Sequence, residues 1–261
     1  DFCDRAAGLV QSTPGTVLIA TGFYISKAGA PETDGPPGAL ALGRALESLG
    51  YRIFYVTDRY TMPVLSPFVG TEAQLVDFPI SDDDSSEGFA KELLSRLEPS
   101  LLISIERCGL TGDGEYLNMR GVDISPQTAR VDHLFLQHPR TIGIGDGGNE
   151  IGMGNLATYI PQVAPLPNRP ATTCTTHLVI SSTSNWGGYG LTAALSRLVG
   201  RDLLPGLEEE GALIRRMVEL GAVDGVVGES RHSVDAMSIE EHGKALDSLH
   251  NLLSEEGIRH K

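Results

Sequence analysis

Residues 16–21 read TVLIAT and residues 36–50 read PPGALALGRALESLG. The first is a short apolar run with β-branched members, the pattern of a strand buried on both faces. The second opens on two prolines, which suit the first turn of a helix. It closes on Gly50, a natural residue just past a helix C-terminus. A buried strand followed by a helix of this length is the unit from which parallel sheets are built.

The same alternation continues along the chain. YRIFYVT (51–57), AQLVDFPI (73–80), SLLISIE (100–106), TIGI (141–144) and HLVISST (177–183) read as further strands. SSEGFAKELLSRLEP (85–99) reads as an amphipathic helix stopped by Pro99, and SPQTARVDHLFLQH (125–138) as a helix with Ser125 at its N-cap and Pro126 at its first position. GGYGLTAALSRLVG (187–200) and the segments 207–220 and 238–256 carry helical patterns. The expectation is a single α/β domain over residues 1–261. Its sheet is doubly wound and mostly parallel, with helices on both faces in a Rossmann-like three-layer arrangement. The acidic SDDDSSE (81–87) reads as the solvated approach to a helix rather than a metal site.

With 261 residues, 41% hydrophobic and 21% charged, the chain has the makeup of a globular protein with a substantial core. A formal net charge of −14, with the 20 basic residues scattered, argues against nucleic-acid or anionic-membrane partners. Cys3, Cys108 and Cys174 are odd in number, widely spaced and form no C-x-x-C, which points to free thiols in a reducing, cytoplasmic setting. No run of 18 apolar residues is present, so no membrane span is expected. The chain begins at Asp1 rather than Met, which leaves room for a removed targeting segment. A homo-oligomer is compatible with all of this.

In open parallel sheets, ligands bind beyond the carboxyl ends of the strands. The segments that fall there are PETDGPPGA (31–39), ERCGLTGDGEYLNMRGVDIS (106–125), GDGGNEIGMGN (145–155) and SNWGGYG (184–190). They bring Glu32, Asp34, Glu106, Asp113, Asp146 and Glu150 to one edge, with Arg59, Arg107 and Arg120 in or near the same loops. Converging carboxylates have two stable solutions. A divalent cation with oxygen ligands, Mg²⁺ or Mn²⁺, can neutralise them. Otherwise some keep a proton, which sets a general acid beside a general base. Guanidinium groups suit a substrate carboxylate. The site therefore suits a small acidic or zwitterionic molecule.

Each feature also has a plain structural reading: Asp34 as a helix cap, Asn149 and Asn185 as turn residues, Trp186 as core, Tyr116 as a packed ring. Cys108 reads as a spectator thiol, with no histidine near it in sequence. GIGDGG (143–148) fits G-x-G-x-x-G, but its strand is very short, Asp146 would face a pyrophosphate, and no acid follows about 20 residues on. No nucleotide cofactor is expected. GDGGNE (145–150) also resembles the acidic G-D-G-x-N-D loop of haloacid-dehalogenase-type phosphatases. Those enzymes need a D-x-D nucleophile after the first strand, where this chain reads TGFYISK (21–27). The chain has no H-E-x-x-H, no G-x-S-x-G elbow and no Walker A loop.

PETDGPPGA, IERCGLTGDGEYLNMRG (105–121), GIGDGGNEIGMG (143–154), SNWGGYGL (184–191) and VDGVVGESRHSVDAMSIEEH (223–242) occur in this order. Together they resemble the D-glutamate cyclase family, specifically the C-terminal domain of its longer animal members. The resemblance implies a lyase that converts D-glutamate to 5-oxo-D-proline and water. For that reaction the acids after the strands are assigned as catalytic: Asp146 and Glu150, with Asp34, at the γ-carboxyl, and Glu106 or Glu32 as acceptor of the amine proton. Asp34, Asp146 and Glu150 would be the ligands of any metal. Arg107, Tyr116, Asn118, Arg120, Gly147, Gly148, Asn149, Asn185, Trp186 and Gly187 would contact substrate. VDAMSIEEH (234–242) departs from a V-D-G-L-P-x-x-x-H pattern, so His242 is not carried into the site. The alternatives are a metal-dependent hydrolase or phosphatase acting on a small acidic metabolite, and a non-catalytic acidic amino-acid binding module.

Overall fold

The computed structural model describes residues 1–71 and 74–259. In chain order its elements are α1 (Phe2–Ser12), β1 (Thr16–Thr21), β2 (Tyr24–Ile25), β3 (Ala30–Pro31), α2 (Pro36–Ser48), β4 (Arg52–Thr57), α3 (Met62–Leu65), β5 (Leu75–Asp77) and α4 (Asp83–Leu97). There follow β6 (Leu101–Ile105), α5 (Asp132–Leu136), β7 (Thr141–Gly145), β8 (His177–Ile180), α6 (Ser184–Val199), α7 (Leu207–Glu219), β9 (Ser233–Val234), β10 (Met237–Ser238) and α8 (Ile239–Glu255). Ala73, the first residue of the expected third strand, lies outside the described residues.

Six strands form one sheet in the order β5-β4-β1-β6-β7-β8, and every pairing is parallel. The order reverses between β1 and β6. This is the switch point at which the loops of two neighbouring strands diverge and leave a crevice. Residues along β1 alternate between two cores. Val17 and Ile19 pack with side chains of α1, α2, α6 and α7, whereas Leu18 and Ala20 pack with those of α4 and α5. The expected doubly wound α/β arrangement is therefore present, with helices on both faces. Among the described residues no helix is long and apolar enough to cross a membrane.

Two local expectations differ. The sequence pattern gave no sign of α1, whose buried face is made of the small Ala6 and Ala7 with Val10. The continuous helix expected over 125–138 is broken. A 3₁₀ turn spans Ser125–Gln127, Thr128 is extended at φ −123°, and only Asp132–Leu136 is α-helical. The Ala129 carbonyl accepts from Arg107 Nη2 at 3.0 Å, so a buried tertiary hydrogen bond takes the place of a helical one. The acidic 81–87 stretch is the start of α4: the Asp82 side chain accepts from Ser85 N at 2.8 Å, and Asp83 and Asp84 occupy the first turn.

Candidate active site

A cavity of about 540 Å³ opens at the carboxyl edge of the sheet, over the switch point. Its lining includes Glu32, Asp34, Glu106, Asp146, Glu150 and Asp235, six carboxyl groups from four separate segments of chain.

Asp34 precedes α2 and reaches across to the start of α6. Its Oδ2 accepts from Ser184 N at 2.7 Å, and its Oδ1 from Asn185 N at 2.8 Å and Gly35 N at 3.0 Å. The carboxylate therefore sits at a helix N-terminus, where orphan amides and the helix dipole favour negative charge. Gly35 has φ +95°, and a Cβ there would lie 2.6 Å from Glu106 Cβ, so a side chain would separate the two acids. Asn185 ties the same helix ends together: its Oδ1 accepts from Gly35 N and Gly38 N, and its Nδ2 donates to Thr33 O.

Glu106 leaves the end of β6 at φ +43°, a left-handed conformation unusual for glutamate. Its Oε2 accepts from Ser184 Oγ at 2.6 Å. Asp146 follows β7 directly. Oxygens of Asp34, Glu106 and Asp146 lie within 4.8 Å of one another. Glu150 turns back on its own loop, where it accepts from Gly147 N at 2.6 Å, Gly148 N at 2.8 Å and Asp146 N at 3.4 Å. It is 0% exposed and holds the loop that presents Asp146. Glu106 thus stands in the triad where the sequence reading put Glu150.

The electrostatics follow from crowding. Burial, then the Asp34, Glu150 and Asp235 carboxylates, pushes Asp146 up to about 11. Burial raises Asp34 to about 6 against the opposing pull of its three backbone donors. Burial and then Asp146 raise Glu106 well above the ordinary range, and burial and then Asp235 do the same for Glu32. Burial and then Asp34 bring Asp235 to about 8. The cluster calls for protons or a cation. An all-oxygen triad of this spread fits a hard divalent ion: Glu106 Oε1 makes no hydrogen bond among the described residues, and the Asp34 oxygens keep lone pairs beyond those on the amides.

Of the expected substrate contacts, Asn118, Arg120, Gly147 and Asn149 line the cavity. The others are placed elsewhere. Arg107 is 1% exposed; it pairs with Asp58 at 2.7 Å and donates to Gly22 O and Ala129 O, pinning the ends of two strands. Tyr116 is buried and donates to Asp132 Oδ2 at 2.7 Å. Trp186 packs in the α6–α8 core and donates to His242 Nδ1 at 3.0 Å. Gly187 and Gly148 lie against Ile144 and Ile160 respectively, with no room for a Cβ. His242, left out of the site on sequence grounds, is buried outside the cavity, and burial lowers it to about 4. Cys108 is buried as well, and burial pushes its thiol up, as befits a spectator.

Lys27 and Asp235 were missed. Lys27 lies on the turn between β2 and β3, and its Nζ donates to Val227 O at 2.8 Å beside the cavity. Asp235 sits at the tip of the β9–β10 hairpin. Its sequence signal was its place in VDAMSIEEH (234–242), within the last of the ordered motifs.

The model of the family described as D-glutamate cyclase-like, C-terminal, matches residues 3–250. A human protein named mitochondrial D-glutamate cyclase is 30% identical over 210 residues, covering 72% of this chain and 34% of its own length. The chain thus spans about a third of that curated relative. A crystal structure of an exopolyphosphatase-related protein from Bacteroides fragilis aligns with 98% of this chain and 57% of its own, at 10% identity and a TM-score of 0.43.

Proposed function

Since the chain belongs to the D-glutamate cyclase-like family, we propose that its acidic cavity closes D-glutamate to 5-oxo-D-proline with release of water. The observation that carries this reading is the triad of Asp34, Glu106 and Asp146, whose oxygens gather within 4.8 Å at the switch point of the sheet.

The reaction forms a bond from the α-nitrogen to the carbon of the γ-carboxyl group and breaks one C–O bond of that group. The ammonium group loses two protons, and the departing oxygen gains two to leave as water, so the balance is neutral. Folding the substrate so that nitrogen meets the γ-carboxyl carbon supplies proximity, which contributes up to roughly 7–11 kcal/mol in well-oriented intramolecular reactions. The chemical obstacle is that a carboxylate is a poor electrophile. Asp146, at the mouth of β7 and held by the Glu150-braced loop, draws charge from the γ-carboxyl and returns a proton to the leaving oxygen. The Glu32 carboxyl makes no hydrogen bond among the described residues and faces the cavity, so it is the acceptor for the amine proton. Arg120 and Lys27 are the cations that line the cavity and hold the substrate carboxylates.

Mg²⁺ or Mn²⁺, held by Asp34, Glu106 and Asp146 in place of their protons, would instead supply Lewis-acid polarisation of the γ-carboxyl. Incubation with D- and L-glutamate, with added Mg²⁺ or Mn²⁺ or with chelator, tests the reading by the appearance of 5-oxoproline. Formation from D-glutamate supports it. Binding without turnover supports a binding module, and release of phosphate from an ester panel supports a hydrolase.

A further inference from the structure

Glu32 and Asp235 stand apart from the triad but line the same cavity. Glu32 follows β3 and is 6% exposed, and its carboxyl makes no hydrogen bond or ion pair among the described residues. The wall beside it is Gly225, where a Cβ would lie 1.7 Å from Glu32 Oε2. A side chain at that position would evict the carboxyl from its place.

Asp235 and Ala236 are the two central residues of the β9–β10 hairpin, with φ of +50° and +64°. Positive φ at both positions marks a type I′ turn, which favours Asn-Gly or Asp-Gly. Alanine in this conformation is strained, and strain retained at a cavity wall points to a task for the turn. Asp224, 0% exposed, fixes it. Its Oδ2 accepts from Ser233 Oγ at 2.6 Å and Ala236 N at 2.8 Å, while its Oδ1 accepts from Val227 N at 2.9 Å. One buried aspartate thus sets both the hairpin that carries Asp235 and the loop that walls Glu32.

The two basic side chains lining the cavity do not pair with either acid among the described residues. Lys27 Nζ donates to Val227 O, and Arg120 is exposed at the rim. A nine-tenths-buried carboxyl without a partner calls for a positive ligand. An alkylammonium group offers three N–H donors on a compact charge, which two carboxyl groups from different loops can share.

We propose that Glu32 and Asp235 form the subsite for the α-ammonium group of the substrate, so that the cavity selects amino acids over the same diacids without the amine. The assignment rests on the reading of the cavity as a glutamate site and adds Asp235 as a specificity residue. Two carboxyl groups facing one ammonium discriminate by charge, which glutarate lacks at that position.

The test is calorimetric titration of the full chain with D-glutamate and with glutarate, in a D146N background that halts turnover. D235N and E32Q are added separately and circular dichroism confirms the fold of each. The expected result is a D-glutamate preference of at least tenfold, reduced to within about threefold by either substitution, with glutarate affinity unchanged. D235E restores most of the preference. Equal loss of both ligands, or an unchanged preference, overturns the subsite. If the unsubstituted chain makes no 5-oxoproline but the preference vanishes in D235N, the cyclase reading fails and the subsite stands. If 5-oxoproline forms while the preference survives both substitutions, the subsite alone fails.

Discussion

Glu150→Gln and Asp146→Asn are isosteric changes four residues apart, and the structure assigns them opposite outcomes. Glu150 accepts from Gly147 N at 2.6 Å on one oxygen and from Gly148 N at 2.8 Å on the other, at 0% exposure. A glutamine amide must set its NH₂ against one of these N–H groups, whichever way it is turned. The variant loses one charge-assisted hydrogen bond, about 1.5–3 kcal/mol, and leaves a buried donor unsatisfied. A loss of about 3 kcal/mol in stability is expected. With a urea m-value of about 3 kcal/mol/M, that moves the denaturation midpoint down by about 1 M. Asp146 instead faces the cavity, where burial and neighbouring carboxylates disfavour its charge. Asparagine removes no favourable charge there, so its midpoint stays within about 0.3 M of the parent while turnover falls at least 100-fold. Urea titration beside a 5-oxoproline assay reads both. An E150Q chain of parental stability, or a D146N chain of parental turnover, refutes the division between a brace and a working acid.

Glu210 gives a pH prediction. It is buried and accepts from the Tyr189 hydroxyl, and burial raises it from 4.5 to about 7. The folded state keeps this proton where the unfolded chain has lost it, so stability falls as pH rises from about 4.5 to about 7 and is flat above. The loss is about 3 kcal/mol at about 1.4 per unit; E210Q should flatten the Tm–pH profile across that window, and an unaltered slope would count against the assignment. Ala236→Gly should stabilise by roughly 0.5–1 kcal/mol, because relief of about 1–2 kcal/mol of left-handed strain exceeds the added unfolded-chain entropy; a lower Tm is the contrary result. Gly225→Ala should leave the fold intact, since the clashing atom is the end of the Glu32 side chain, yet cut turnover at least tenfold; parental kinetics would show that Glu32 is not needed in place.

The parallel sheet was legible because TVLIAT, SLLISIE and their counterparts are buried on both faces and so carry unbroken apolar runs. α1 was not, since its inward face of alanines contrasts little with its surroundings. The 125–138 helix was overread because periodicity cannot show that the Ala129 carbonyl is taken by Arg107 from a distant strand end. The acids of the site were legible from their position after strands. Their division of labour was not. Glu150 and Asp146 look alike in GDGGNE, and only the fold shows that both reach the cavity while Glu150 alone is tied down by its own loop's amides. Arg107 looked like a substrate clamp for the same reason: sequence places it beside Glu106 but cannot turn it toward Asp58. Asp235 lay in a turn far along the chain from Glu150, after the two-residue strand β9, which is outside the six-stranded sheet and too short to leave a pattern.

The central claim is that the cavity joins the α-nitrogen of D-glutamate to the carbon of its γ-carboxyl group, with Asp146 at that carboxyl. The most direct measurement follows D-glutamate carrying ¹³C at the γ-carboxyl by NMR, with the unsubstituted chain and with D146N. The account predicts that the carboxylate resonance is replaced by a lactam carbonyl with the first and persists with the second. Persistence with both, or conversion at equal rates, would contradict it.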